Sequence, residues 1–345
     1  MNKKFIYIII SIVLALFIGT IALILITTSP VITLGNPAKD SIFMPFIAPN
    51  SRTIFYYNGV DTIKKWNLTN NQVEDWIKFP FTSIDNINYS PDGNQALIYW
   101  SNPQGNNNNE RTWLIDLKNK KIIKEIGQNI INNAWSPDSK SIVYQFFSQT
   151  NHQNELIKAL ADNTNQQVIA NLDLSLPIGE VIDILWPNNQ TIVYFPLKEE
   201  KTPVDIKSIN LNDLKQKTII SQVLPNIANI ITDQNKIIIS LSNQDDDIVT
   251  LNIYDLNTNQ TKAIDKNDLF LSKTSQIANT NIFYAGWRGA KQSTDSIIRF
   301  DTDGKIAVIK AKLPDKLEVS NLMSPDKKTL FFLNGNQLYK MTTNL

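Results

Sequence analysis

The chain begins with one long apolar run and continues with many short ones. Residues 5–27, FIYIIISIVLALFIGTIALILIT, hold 23 positions without a charge. As a helix rising about 1.5 Å per residue, this run would reach about 34 Å, enough for a bilayer core of about 30 Å. Beyond residue 41 the pattern changes. Apolar runs of five to seven residues rich in Ile, Val, Tyr and Phe, such as 53–57, 96–100, 141–147 and 191–195, are bounded by polar turn residues. Such runs predict β-strands, and no helical period competes with them.

A turn element recurs ahead of these runs. The clearest copies are Asn88-Tyr89-Ser90-Pro91-Asp92-Gly93, Ala134-Trp135-Ser136-Pro137-Asp138-Ser139 and Leu322-Met323-Ser324-Pro325-Asp326-Lys327. With weaker copies at 49, 187, 232 and 279, the element stands at 49, 91, 137, 187, 232, 279 and 325, a spacing of 42 to 50 residues. A period in that range predicts a propeller or a solenoid. Each unit adds a third run ending in a polar turn, such as Asn252-Ile253-Tyr254-Asp255-Leu256-Asn257, and a short fourth run such as 121–126 or 260–264. Four antiparallel strands per unit make a propeller blade. Proline presets φ in the Ser-Pro-Asp-Gly turn, Asp bonds the local backbone and Gly tolerates the exit, so turn chemistry accounts for these aspartates without catalysis.

With these motifs in view, the units resemble the TolB-type, WD-repeat-like propeller family, whose repeat is built on Ser-Pro-Asp-Gly followed by an apolar strand. The resemblance covers residues 42–345 and implies a fold, not a function. TolB itself carries an additional α/β domain for which this sequence has no stretch, so a role in the Tol complex is not implied. The expected fold class is all-β, a seven-bladed β-propeller of four-stranded blades preceded by one N-terminal transmembrane helix. The expected organisation is a cytoplasmic N-terminus at 1–4, a transmembrane signal anchor at 5–27, a latch strand and linker at 28–41, and the propeller at 42–345. The last unit lacks a fourth strand before the chain ends, and residues 31–34 are expected to fill that slot.

Charge sets the expected orientation. Lys3 and Lys4 precede the anchor and hold the N-terminus in the cytoplasm, which places the propeller outside. A cleaved signal peptide would have a shorter apolar core and a small-residue cleavage site, unlike Thr27-Thr28-Ser29-Pro30. The short link from anchor to latch directs the short-turn face to the membrane and the face of long second-to-third-strand loops outward.

Composition then narrows the chemistry. Lys and Arg total 33 and Asp and Glu 32, a balance that does not predict nucleic-acid binding. Cysteine is absent and His152 is the single histidine. That excludes disulfides, thiolate sites, cysteine nucleophiles and His-cluster metal centres. No phosphate loop or nucleophile elbow occurs, so no cofactor is expected.

Binding residues concentrate on loops. The candidate binding face therefore comprises Trp100, Arg111, Phe147, Trp287, Arg288 and Lys291, near the long loops of blades 2, 3 and 6. A Trp beside Arg is the residue pair that anchors interfaces. Asp245-Asp246-Asp247 lacks the spacing and glycine of a calcium loop and reads as a solvated turn. Lys198-Glu199-Glu200-Lys201, Asn106–Asn109 and His152 read as solvated loop residues. Tyr89, Trp135 and Trp186 hold near-equivalent first-strand positions and read as packing between blades. The expected function is a single-pass, membrane-anchored, extracytoplasmic scaffold that binds a protein or glycan partner without catalysis. The alternative is a carbohydrate-active enzyme with paired carboxylates at the central cavity, for which Asp85 and Asp183 are the candidates.

Overall fold

The computed structural model describes residues 31–342 except 81, 83, 101–110, 149, 152, 173–180, 198–202, 224–228, 234, 243–247, 265–269, 280–281, 289–295, 302–305, 313–319, 324–328 and 335–336. The described strands form antiparallel sheets of four. Blade 1 is Phe43–Ile47, Thr53–Tyr57, Thr62–Asn67 and Gln72–Lys78. Blade 2 is Ile84–Tyr89, Gln95–Trp100, Arg111–Asp116 and Lys121–Gln128. Blade 3 is Ile130–Trp135, Ser141–Ser148, Gln153–Leu160 and Gln167–Asn171. Blade 4 is Ile182–Asn188, Thr191–Pro196, Val204–Asn210 and Gln216–Val223. Blade 5 is Asn229–Asp233, Lys236–Ser242, Ile248–Asp255 and Gln260–Ile264. Blade 6 is Phe270–Asn279, Ile282–Arg288, Ser296–Asp301 and Ile306–Lys312. The closing sheet joins Ser320–Met323, Thr329–Asn334 and Gln337–Thr342 to Val31–Leu34.

First strands of successive blades touch one another and surround the centre. Second strands are apolar on both faces, as in the buried Ile142, Val143 and Tyr144 of blade 3, because each blade packs against two neighbours. The core is accordingly divided into clusters between blades. Phe55, Tyr57 and Ile63 of blade 1 meet Ile87, Ile98 and Ile115 of blade 2. Val193, Phe195 and Ile206 of blade 4 meet Ile237 and Tyr254 of blade 5. Phe331 and Leu338 of the closing sheet meet Ile54 and Trp66 of blade 1.

These observations correct the expected fold class. The described residues contain no helix, and none of their elements is a helix long and apolar enough to cross a membrane. The run at 5–27 expected to form that helix lies outside the described residues. Six blades are each built from four consecutive strands, and the remaining sheet is composite, drawing on both ends of the described chain. The architecture is thus an all-β propeller of six blades each continuous in sequence plus a composite closing sheet, in place of seven blades following a helix. The physical reason is the edge: three C-terminal strands alone would leave one unpaired, and Val31–Leu34 covers it with Val31 opposite Met341 and Leu34 opposite Leu338.

The repeated turn behaves as its chemistry dictates. In blade 2 the Ser90 hydroxyl donates to Asp92 Oδ1 at 2.6 Å, Gly93 N–H donates to the Ser90 carbonyl, and Gly93 takes φ 72°. In blade 3 Ser136 donates to Asp138 at 2.7 Å and accepts from Ser141 N–H at 2.9 Å. Burial would raise the Asp92 carboxyl, but hydrogen bonds from Ser90, Asn94 and Ser139 hold it below the ordinary value. The third clear copy, at 324–327, lies outside the described residues.

Candidate binding face

The two ends of the blades differ in kind. One end carries the turns joining first to second and third to fourth strands; the other carries the second-to-third connections and the passages between blades. The candidate residues with described positions all fall at this second end, the loop face.

Trp100 closes the second strand of blade 2 and pairs in register with Arg111, which opens the third. The indole of Trp100 is half-buried and donates through Nε1 to the Thr82 carbonyl at 2.9 Å. Arg111 Nη1 lies 3.1 Å from Glu125 Oε2, so its charge is already shared within the blade. Phe147 is half-buried near the end of the second strand of blade 3, opposite Asn154. Trp287 and Arg288 are expected in a loop at 286–296 but lie in the second strand of blade 6, opposite Leu271 and Phe270. Lys291, Asp245–Asp247, Lys198–Lys201, Asn106–Asn109 and His152 lie outside the described residues.

The structure adds apolar residues that the loop-based reading missed. Phe43 and Val60 of blade 1 are 46% and 55% exposed, and Leu197 of blade 4 is 43% exposed. All three sit at the loop end of their strands. The ring of Phe43 lies against Gly59, where an added Cβ would come within 2.6 Å of Phe43 Cε2, and Gly59 has φ +82°. Asn58 Oδ1 accepts the N–H groups of Val60, Asp61 and Thr62, which fixes this corner. The sequence signal was present: Phe43 and Val60 are large apolar residues at the margins of predicted strands, where solvated residues are usual. Blades 1 to 4 therefore each present an exposed or half-buried large apolar side chain at this end, while Ile32, Ile123, Leu160 and Val168 are exposed elsewhere on the blades and the closing strand.

Tyr89, Trp135 and Trp186 are spacers between blades. Tyr89 stacks on Phe46 at 4.8 Å, and Trp135 Nε1 donates to the Asn88 carbonyl of the preceding blade at 3.0 Å. Trp186 joins a cluster with Ala134, Val143 and Leu156 of blade 3.

The two candidate carboxylates are not matched. Asp85 is an exposed residue at a bulge in the first strand of blade 2, between Ile84 and Asn86. Asp183 is in the ladder of blade 4, opposite Phe195. Burial raises the Asp183 carboxyl above its ordinary value, opposed by the Ile184 N–H and the Asn132 amide. Asn132 also donates to the Ile182 carbonyl at 2.8 Å, joining blade 3 to blade 4. This placement gives Asp183 a role between blades and does not favour a paired-carboxylate enzyme. Among the described residues no group of three or more His, Asp or Glu side chains is disposed to hold a metal.

No protein-family model and no curated protein sequence matches the chain. Solved structures do. A prolyl endopeptidase is similar with a TM-score of 0.65 and 13% identity, over 88% of this chain and 48% of that one. The propeller domain of the Trilobed protease from Pyrococcus furiosus, described as having an open velcro topology, is similar at 0.57 and 16%, over 84% and 88%. An oligogalacturonate lyase in complex with manganese is similar at 0.52 and 14%, over 87% and 76%. The chain spans about half the length of the endopeptidase. At these identities the likeness establishes the propeller fold. The matches support the propeller expected from the Ser-Pro-Asp turns and identify neither a TolB-type nor a WD-repeat family.

Proposed function

We propose that this protein is a binding propeller that docks a protein partner on its loop face. The observation that carries this reading is the alignment of Phe43, Val60, Trp100, Phe147 and Leu197 at one end of four consecutive blades, with Trp287 and Arg288 placed at the same end of blade 6. Interface cores are enriched in aromatic residues and arginine, and Phe43, Trp100, Phe147, Trp287 and Arg288 supply both at this end. The likeness to a prolyl endopeptidase in which inter-domain dynamics matter, and of which this chain spans about half, supports a propeller that works against another protein module. The uncharged run at 5–27 behind Lys3 and Lys4 supports display of the propeller on the extracytoplasmic side of a membrane.

The chain has no cysteine, so single thiols can be introduced cleanly. A thiol-directed photocrosslinker on Val60→Cys should give a discrete adduct in intact cells. Adding Leu197→Asp on the same face should abolish it, and the same probe on Lys118→Cys, at the turn face, should give none. Equal adducts from both faces, or an adduct that survives Leu197→Asp, would refute loop-face docking. A glycan partner would instead leave no protein adduct while a soluble oligosaccharide protects Val60→Cys from labelling.

A further inference from the structure

Between blades 3 and 4, at the loop end, lies a crevice of about 450 Å³. Its floor is apolar, from Leu172, Ile182 and Val204, and Pro196 and Pro203 form part of its margin. Its wall carries Asp205 and Lys207 from the third strand of blade 4 and Tyr194 from the second. Asp205 and Lys207 are two residues apart on one strand and so point to the same side, with their Cα atoms about 6.6 Å apart. Ile206, between them, faces the opposite way into the core shared with blade 5.

Neither charge is neutralised by the other. Asp205 Oδ1 accepts the backbone N–H of Gln222 at 3.2 Å. Lys207 makes no ion pair or hydrogen bond among the described residues. Tyr194 stands opposite Lys207 in the ladder and donates to Gln216 Oε1 at 2.8 Å. Burial lifts its phenol to about 12, so it remains a neutral donor at physiological pH.

The fold repeats this crevice one blade earlier, and the repeat isolates what is particular to blade 4. The crevice between blades 2 and 3, about 510 Å³, is lined by Tyr144, Glu155 and Ile157. Register aligns Tyr144 with Tyr194, because Tyr144 stands opposite Ile157 as Tyr194 stands opposite Lys207. Glu155 then corresponds to Asp205 and Ile157 to Lys207. The cavity and its acid are thus common to both sites, and of the two only the blade 4 crevice is lined by a cation, Lys207.

We propose that the crevice between blades 3 and 4 binds a short peptide with free termini, its ammonium group at Asp205 and its carboxylate at Lys207. A residue of extended chain spans at most about 3.6 Å, so two residues match the Cα spacing of Asp205 and Lys207, and a dipeptide can lie along this strand with one terminus beside each side chain. The amide side chains of Gln216 and Gln222, at the same crevice, suit the peptide group between the termini. Charge-assisted hydrogen bonds at both ends supply most of the affinity. The proposal does not depend on what docks at the loop face, because Val60 and Leu197 are not among the residues that line the crevice.

Calorimetric titration of the full-length protein in detergent with alanyl-alanine tests it. The expected result is saturable binding, weakened about tenfold or more by Asp205→Asn or Lys207→Gln. Glu155→Gln, in the sister crevice, should leave binding unchanged. N-acetyl-alanyl-alanine amide, which has the same length without charges, should not bind. Absence of saturable heat, equal binding of the blocked peptide, equal binding of free alanine, or indifference to both substitutions would each overturn the proposal. Because the blocked peptide is compared on the unaltered chain, a variant that fails to fold does not remove the test.

Discussion

Val31 stands opposite Met341, so the two ends of the described chain meet in one sheet. The pairing extends inward through a polar knot. The Tyr56 hydroxyl donates to Asp40 Oδ1 at 2.7 Å, Asn36 Nδ2 donates to the same oxygen at 2.8 Å, and Lys64 Nζ lies 3.0 Å from Asp40 Oδ2. The linker after the closing strand is therefore fastened to blade 1.

Leu34 is partly buried against the core shared by the closing sheet and blade 1. Leu34→Asp places a charge there and should destabilise the protein by about 2–4 kcal/mol. A thermal melt of the purified chain checks it. An unchanged melt would mean that the closing strand contributes nothing to the ring.

Two carboxylates should give opposite pH signatures. Burial would raise Asp40, but hydrogen bonds from Tyr56, Asn36 and Lys64 bring it below its ordinary value of 3.8. Its contribution is present above that pH and lost as pH falls through the lowered value. Asp183 is raised by burial, so its contribution is complete below 3.8 and lost as pH rises through the raised value. Asp183→Asn should therefore increase stability at neutral pH, and Asp40→Asn should decrease it. Denaturation midpoints measured from acid to neutral pH for both variants would reveal either sign.

Trp76 joins blades 1 and 2. Its Nε1 donates to the Leu117 carbonyl at 2.6 Å, and Lys65 and Lys120 Nζ each lie 3.8 Å from its ring centroid. Trp76→Leu should cost about 2–3 kcal/mol, from the hydrogen bond and the ring contacts together. Lys120→Ala, which removes one exposed cation, should cost no more than about 1 kcal/mol. Urea titration of the two variants distinguishes a shared lock from a surface ornament.

Ser136→Ala removes both bonds that shape the blade 3 turn, to Asp138 and from Ser141 N–H. A loss of about 1–2 kcal/mol is expected, measurable by the same titration. A change in partner or peptide binding without a change in stability would contradict the structural reading of the Ser-Pro-Asp element.

How much of this was readable in the sequence depended on the range of the interactions. Ser136-Pro137-Asp138 declares its turn because every partner lies within five residues. Tyr89 and Trp135 could be placed between blades because their positions repeat with the unit. Trp287 and Arg288 could not be placed, because Gly286 and the polar residues that follow suggest a loop, while pairing with Phe270 and Leu271 keeps them in the ladder. The crevice at Asp205 and Lys207 was invisible for a similar reason: it exists only where the outer part of blade 3 meets blade 4. Asp183 read as a catalytic candidate until its contact with Asn132, in another blade, gave it a place between blades.

Docking as proposed means that a partner covers the loop face in the cell. The decisive quantity is the rate at which a membrane-impermeant maleimide labels Val60→Cys in intact cells and in the purified protein, with Lys124→Cys on the exposed outer strand of blade 2 as reference. Val60→Cys is expected to label much more slowly in cells than when purified, while Lys124→Cys labels from outside in cells with no comparable slowing. Labelling of Val60→Cys as fast in cells as in isolation would contradict it.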